Sequence, residues 1–343
     1  MTKYELTILT EIAILKHRKA LFPMTQLKCT KMRNTIREEK HMTLEQRLKL
    51  LNPPQGMFDL VLDTDAYNEI DDQFAISYAL KAKERISLKA LYAAPFWNAR
   101  STGPKDGMEK SYDEICKLLA LAKEDVPVFK GSERYLPSEK EAVISPAAQD
   151  LAARAAQYTS EKPLYVATIG AITNVASALL IDPSIAEKIV VVWLGGTSLE
   201  WHDNKEFNCM QDVAAARVVY DSGAPLVILP CAGVVSSFTT TGPELEYWLR
   251  GKTPRSDYLC QQTIDEANTY AAGRVWSRVI WDVTTIGWLL NEHGQFMLDR
   301  LETTPIPQYD HHYSRDCRRP LCKYVYSINR DALMGDLFEK VTR

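Results

Sequence analysis

The sequence predicts an α/β fold with a mostly parallel central sheet and helices on both faces. Short apolar runs alternate with helical patterns from Asp59 onward. The strongest runs, Leu60–Leu62 and Ile189–Leu194, lack polar alternation, as strands covered on both faces require. Clusters of polar residues follow the ends of these runs, where ligands of open α/β sheets collect.

Residues 1–55 stand apart as a basic N-terminal appendage. Lys and Arg cluster in KHRK, KCTKMR and REEKHM, the first glycine is Gly56, and Pro53-Pro54 closes the segment. Its apolar patch, Ile8–Leu15, is short and is followed rather than preceded by most of the basic residues, unlike a signal peptide. Leu44–Leu51 reads as partly helical, and the segment is expected to lie outside the catalytic core.

Residues 56–343 read as a single domain. After the strand at Leu60–Leu62, Phe74, Ala75, Tyr78 and Ala79 recur at helical spacing, so a helix begins near Asp71 or Asp72. Leu88–Ala94 is the second strand, Asp113–Ala122 a helix with one apolar face, and Val126–Phe129 a short strand. Ala147–Tyr158 is an alanine-rich helix before the strand Leu164–Thr168. The helix Thr173–Leu180 stops before Asp182-Pro183, because the residue before proline disfavours helical geometry. Ile189–Leu194 ends in Gly195-Gly196, followed by the helix Asp212–Tyr220 and the strand Leu226–Leu229. Thr241–Leu290 is helix-rich and expected to pack over the sheet edge and close the site. Lys323–Ser327 and Arg330–Lys340 form a last strand and helix.

A net charge of −3 gives no reason to expect a nucleic-acid partner, and no apolar run reaches the ~18 residues of a membrane helix. The seven cysteines are an odd number without a scaffold pattern, which points to reduced thiols and a cytoplasmic protein. Cys317 and Cys322 near His311 and His312 are too loosely spaced, without a second pair, for a zinc site.

The chemistry gathers in LVLDTDAYNEIDDQFAI. Between the first strand and its helix stand Asp63, Asp65, Glu69, Asp71 and Asp72, five acids within ten positions. The helix dipole accounts for Asp71 and Asp72 and a turn for Asp63, but five crowded carboxylates call for a cation or donors. A hard divalent ion, Ca²⁺ or Mg²⁺, suits a loop without Cys or His.

This run resembles the N-terminal signature of the nucleoside hydrolases, Ca²⁺-dependent enzymes that cleave N-ribosidic bonds. Their usual D-x-D-P-G-x-D-D-A is two residues shorter between its second and third acids and carries Pro-Gly where this chain has Ala-Tyr-Asn-Glu-Ile. Four later stretches follow in the same order: Phe96-Trp97-Asn98, then Thr168 in YVATIGAITNVA, then Glu206-Phe207-Asn208 with Asp212 four residues on, then SRVIWD with Asp282.

The resemblance implies a Rossmann-like nucleoside hydrolase fold, a small nucleoside substrate, a dimer or tetramer, and Ca²⁺ held by Asp65, Asp72, Asp282 and the Thr168 carbonyl. It makes Asp65 the general base and assigns Asp71, Asn98, Glu206 and Asn208 to substrate. Trp281 replaces the histidine that protonates the leaving base in many members. The same exchange resembles the purine-preferring members, where a Trp stacks on the base, and Trp97 would supply a second wall. The residue that would activate the leaving base is not evident; Tyr67, Tyr135, His202 and His293 have no spacing argument. Two other readings stay open: a nucleoside-binding relative without turnover, and a Mg²⁺-dependent phosphohydrolase of the haloacid dehalogenase type, whose D-x-D-x-T would need a Thr at Tyr67. Glu69 and Asn68, in the lengthened loop, either reach the sugar or the ion, or bulge into solvent.

Overall fold

Side chains of a strand point alternately to its two sides, and here both sides are buried. Leu60, Leu62, Tyr165, Ala167, Val190 and Val192 feed one apolar core, while Val61, Val166, Val191 and Trp193 feed a second core across the sheet. A computed structural model describes residues 42–343 of the chain. Its sheet has eight strands, six of them β1 (Phe58–Thr64), β2 (Ile86–Ala93), β3 (Val128–Lys130), β4 (Leu164–Thr168), β5 (Ile189–Leu194) and β6 (Leu226–Leu229). They run in the order β3-β2-β1-β4-β5-β6, all parallel. Leu321–Ile328 continues parallel to β6, and Met297–Thr303 closes the edge antiparallel. The register sets Asp63 opposite both Tyr92 and Thr168, so the ends of β1, β2 and β4 lie together. The order reverses beside β1, the kind of switch point where α/β proteins bind ligands.

Helices cover both faces as expected. Asp72–Lys81, Pro104–Ala122, Val283–Leu289 and Arg330–Val341 pack on the first core; Pro146–Ala155, Thr173–Ile181 and Val213–Asp221 pack on the second. Several boundaries differ from the sequence reading by a few residues, and two of them have clear local reasons. The helix expected from Asp113 begins nine residues earlier, at Pro104, a residue whose fixed φ suits a first helical turn. The helix expected from Ala147 starts at Pro146, where the Ser145 hydroxyl accepts from Ala148 N. The edge strand Met297–Thr303 was not expected, because Asp299, Arg300 and Glu302 break its apolar pattern and only Met297 is buried.

Of the expected N-terminal appendage, residues 1–41 lie outside the described residues. Leu44–Leu50 forms a helix closed by a capping box between Thr43 and Gln46. Leu50 and Leu51 are buried, and Arg47 Nη1 donates to Leu321 O at 3.3 Å. No described helix is long and apolar enough to cross a membrane.

Candidate active site

β1 delivers its last residues into the core and leaves its acids at the sheet's carboxyl edge. Asp63, Asp65, Asp71 and Asp72 are all buried. Asp63 is satisfied within the protein: Asn174 Nδ2 donates to Oδ1 at 2.8 Å and Thr168 Oγ1 to Oδ2 at 3.2 Å. It ties β1 to β4. Asp72 opens the helix and accepts from Thr64 Oγ1 at 2.5 Å.

Asp282 arrives from the far end of the chain. It precedes the helix Val283–Leu289, and its backbone N donates to Asp71 Oδ2 at 3.3 Å. Asp71, Asp72 and Asp282 each place a carboxylate oxygen within 4.8 Å of the others. Asp65 joins them electrostatically: burial and then the Asp72 charge push its pKa well up. Burial raises Asp71 to about 7 and Asp72 to about 6, and it raises Asp282 together with the charges of Asp71, Asp72 and Asp65. Buried carboxylates this close cannot all ionise without a counter-charge.

The donor set fits a hard divalent cation. Both oxygens of Asp65 are buried and without a hydrogen-bond partner, which is costly unless something else satisfies them. Gly170 is shaped around them, since a Cβ there would lie 2.9 Å from the Asp65 Cγ and Oδ1. Carboxylate oxygens without thiol or imidazole are ligands for Ca²⁺ or Mg²⁺ rather than zinc. Thr168 ends β4 beside Asp63, fully buried.

A cavity of about 250 Å³ opens on this cluster. Asp71, Asp72, Asp282, Glu206 and Asn208 line its polar part. Glu206 caps a short helix, Phe207–Gln211, and its carboxylate accepts from Gly196 N at 2.7 Å, Asn208 N at 2.9 Å and Cys209 N at 2.9 Å. Asn208 Nδ2 donates to Ile169 O and Leu194 O, both at 3.0 Å, and so pins the ends of β4 and β5. Trp281, half-buried, forms part of the apolar wall.

Two expected contacts are placed elsewhere. Asn98 is not among the cavity-lining residues; its Nδ2 donates to Asn68 Oδ1 at 2.5 Å, and Asn68 lines the cavity instead. Trp97 is also away from the cavity, 61% exposed, with its backbone N bonded to Gln211 Oε1 at 2.9 Å. Trp201, in the loop between β5 and Glu206, is the second tryptophan on the cavity wall. Sequence reasoning passed over it, although a loop following a strand's carboxyl end is where a ligand contact belongs. No histidine or tyrosine is among the described residues lining the cavity.

Fold and site together define an α/β protein with a buried carboxylate cluster able to hold a metal ion, set beneath an aromatic-walled pocket. The chain belongs to the inosine-uridine preferring nucleoside hydrolase family, whose model matches residues 60–333. That is a family of metal-dependent nucleoside N-ribohydrolases, and membership sets aside the phosphohydrolase reading. The chain is similar to the pyrimidine-specific ribonucleoside hydrolase RihA of Escherichia coli, at 28% identity over 49% of this chain and 58% of that one. It is 26% identical to the protein of the same name from Salmonella paratyphi A, over 67% of this chain and 79% of that one. Among solved structures, a purine-preferring ribonucleoside hydrolase from Gardnerella vaginalis superposes with a TM-score of 0.68 at 18% identity, covering 83% of this chain and 98% of that one. A plant nucleoside hydrolase does so at 0.64 and 19%, covering 83% and 99%. At such identities these structures show the shared fold.

Proposed function

We propose that the protein hydrolyses the N-glycosidic bond of ribonucleosides, with Ca²⁺ as its ion and purine nucleosides preferred, releasing ribose and the free base. The observation that carries this reading is the meeting of Asp282 with Asp71 and Asp72, 211 positions from Asp71, beside an Asp65 carboxylate that has no partner.

Asp65, Asp72, Asp282 and the Thr168 carbonyl would hold the ion. Bound there, Ca²⁺ supplies a template for a water and the ribose diol and makes that water more acidic. Asp65 accepts the water's proton, a role open to a buried carboxylate whose two oxygens have no other hydrogen-bond partner. Asp71, Glu206 and Asn208 grip the sugar. The negative charge of Asp71 and Glu206 favours the cationic sugar of the transition state over the neutral ground state. Asn98 acts through Asn68, which it holds at the cavity.

The departing base stacks on Trp281, and takes its proton from solvent. The purine preference rests on Trp281 and runs against the pyrimidine-specific names of the bacterial relatives. The cavity wall without histidine or tyrosine favours a second reading, a nucleoside-binding relative that has lost turnover. Free thiols at all six described cysteines support a cytoplasmic protein. Exposed Tyr247 and Trp248 offer apolar surface that a homodimer or tetramer would cover.

A ribose-release screen over purine and pyrimidine nucleosides and nicotinamide riboside tests the reading. Release is expected from at least one of them, abolished by chelation and by Asp65→Ala. Tight nucleoside binding with no ribose released would establish the binding protein instead.

A further inference from the structure

The lengthened loop between Asp65 and Asp71 is tied to the protein on several sides, with Tyr67 exposed at its tip. Asn68 N donates to Asp65 O at 2.7 Å, and Gln73 Nε2 reaches Ala66 O at 2.8 Å. Glu69 is held from three sides, by Gln73, Arg100 and Arg278. Its carbonyl accepts from Arg100 Nη1 at 3.5 Å, and its carboxylate forms an ion pair with Arg278 Nη2.

Arg278 is the hub of this arrangement. Its side chain is only 16% exposed, and the same Nη2 lies 4.0 Å from Asp71 Oδ1. Its other terminal nitrogen, Nη1, faces Glu266 Oε1 at 3.6 Å on the helix Pro254–Ala271, and Glu266 Oε2 pairs in turn with Arg100 Nη2 at 2.8 Å. One planar guanidinium therefore meets three carboxylates from two of its corners, a geometry that a lysine ammonium cannot reproduce. Arg278 also sits four residues before Asp282, whose backbone N bonds the other oxygen of Asp71. The segment 278–282 thus holds the acidic loop at two points: a side chain on Glu69 and Asp71, and a backbone amide on Asp71.

We propose that Arg278 is a positioning residue: paired with Glu69 and Asp71, it locks the lengthened loop to the segment that delivers Asp282 and so sets cation affinity and the grip on the sugar diol. The inference deepens the hydrolase reading and relies on its ion site, but not on turnover. Arg278 acts on the site in two opposed ways. Its positive charge repels a cation, while its hold on the loop pre-arranges the ligands. Substitutions that keep every charge separate the two, so Arg278→Lys and Glu69→Asp are the informative variants.

The test titrates Ca²⁺ by calorimetry into chelator-stripped full-length wild type, the two single variants and their double. Free ribose is then titrated into each Ca²⁺-loaded protein. Each single variant is expected to weaken Ca²⁺ by about 5- to 10-fold and ribose by a similar factor, with the charge unchanged. The double should lose no more than the worse single, since both act through one contact. Melting temperatures within a few degrees of wild type separate this from general unfolding. Ca²⁺ and ribose affinities within twofold of wild type in both singles, or fully additive losses in the double, would overturn the proposal. A wild type that binds Ca²⁺ but releases ribose from no nucleoside defeats the hydrolase reading and leaves this result standing. A wild type that does not bind Ca²⁺ overturns both.

Discussion

Stripping the ion should invert how stability responds to pH. Asp71 and Asp72 have folded-state pKa values of about 7 and about 6, raised first of all by burial, against about 4 in an unfolded chain. A carboxyl raised on folding binds its proton more tightly in the folded state. Its cost is absent below pH ~4, grows as pH rises, and is complete above pH ~7. About three pH units for Asp71 correspond to roughly 4 kcal/mol, at ~1.4 kcal/mol per unit. Because the four carboxylates share their protons, their costs do not simply add, and roughly 4 kcal/mol is a working figure for the cluster. About a third of that cost is already present at pH 5, so at about 2–4 °C per kcal/mol this cluster should make the chelated protein melt roughly 5–10 °C lower at pH 8 than at pH 5. Ca²⁺ binds the ionised cluster, so its stabilisation should be largest at pH 8 and fade toward pH 5. At about a thousand times its dissociation constant, that gain is ~4 kcal/mol. Melting curves with chelator and with Ca²⁺, from pH 5 to 8, measure the difference directly, and the bulk acid sensitivity of the fold cancels. A Ca²⁺-dependent rise in melting temperature that is the same at pH 5 and pH 8 would refute the reasoning.

Other outcomes follow from individual contacts. Gly170→Ala places a methyl 2.9 Å from the Asp65 carboxyl carbon; kcat should fall at least 10-fold while circular dichroism stays native. Asp282→Ala removes one carboxylate of the cluster, and Ca²⁺ affinity measured by calorimetry should drop by ~100-fold or more. Trp281→Ala should lower kcat/KM for inosine by about 10- to 100-fold and for uridine by less, since a purine offers the larger stacking face. Trp201→Ala, at the other tryptophan of the cavity wall, is expected to cost inosine about 10-fold in the same assay.

The parts of this molecule that sequence reveals are those whose physics is local. Ile189–Leu194 reads as a buried strand because every residue in it is apolar, and it is buried throughout. The acids of the first loop announce a charge problem wherever they fold. Asp282 and Trp281 became legible only through family resemblance, since nothing in SRVIWD by itself says that its backbone will meet Asp71. Trp201 and Arg278 were missed because their places arise from packing: one in a loop laid across the cavity, the other between the acidic loop and Glu266 on a distant helix. Asn98 shows the converse. Its motif placed it near the site, while the longer loop set Asn68 in front of it. The edge strand Met297–Thr303 escaped because one exposed face erased its apolar signature.

The most direct measurement is a crystal structure with Ca²⁺ and ribose bound. The account predicts one ion in contact with the carboxylates of residues 65, 72 and 282, with two vicinal sugar hydroxyls on that same ion. Ribose bound elsewhere, or an ion held without the carboxylate of residue 282, would contradict it.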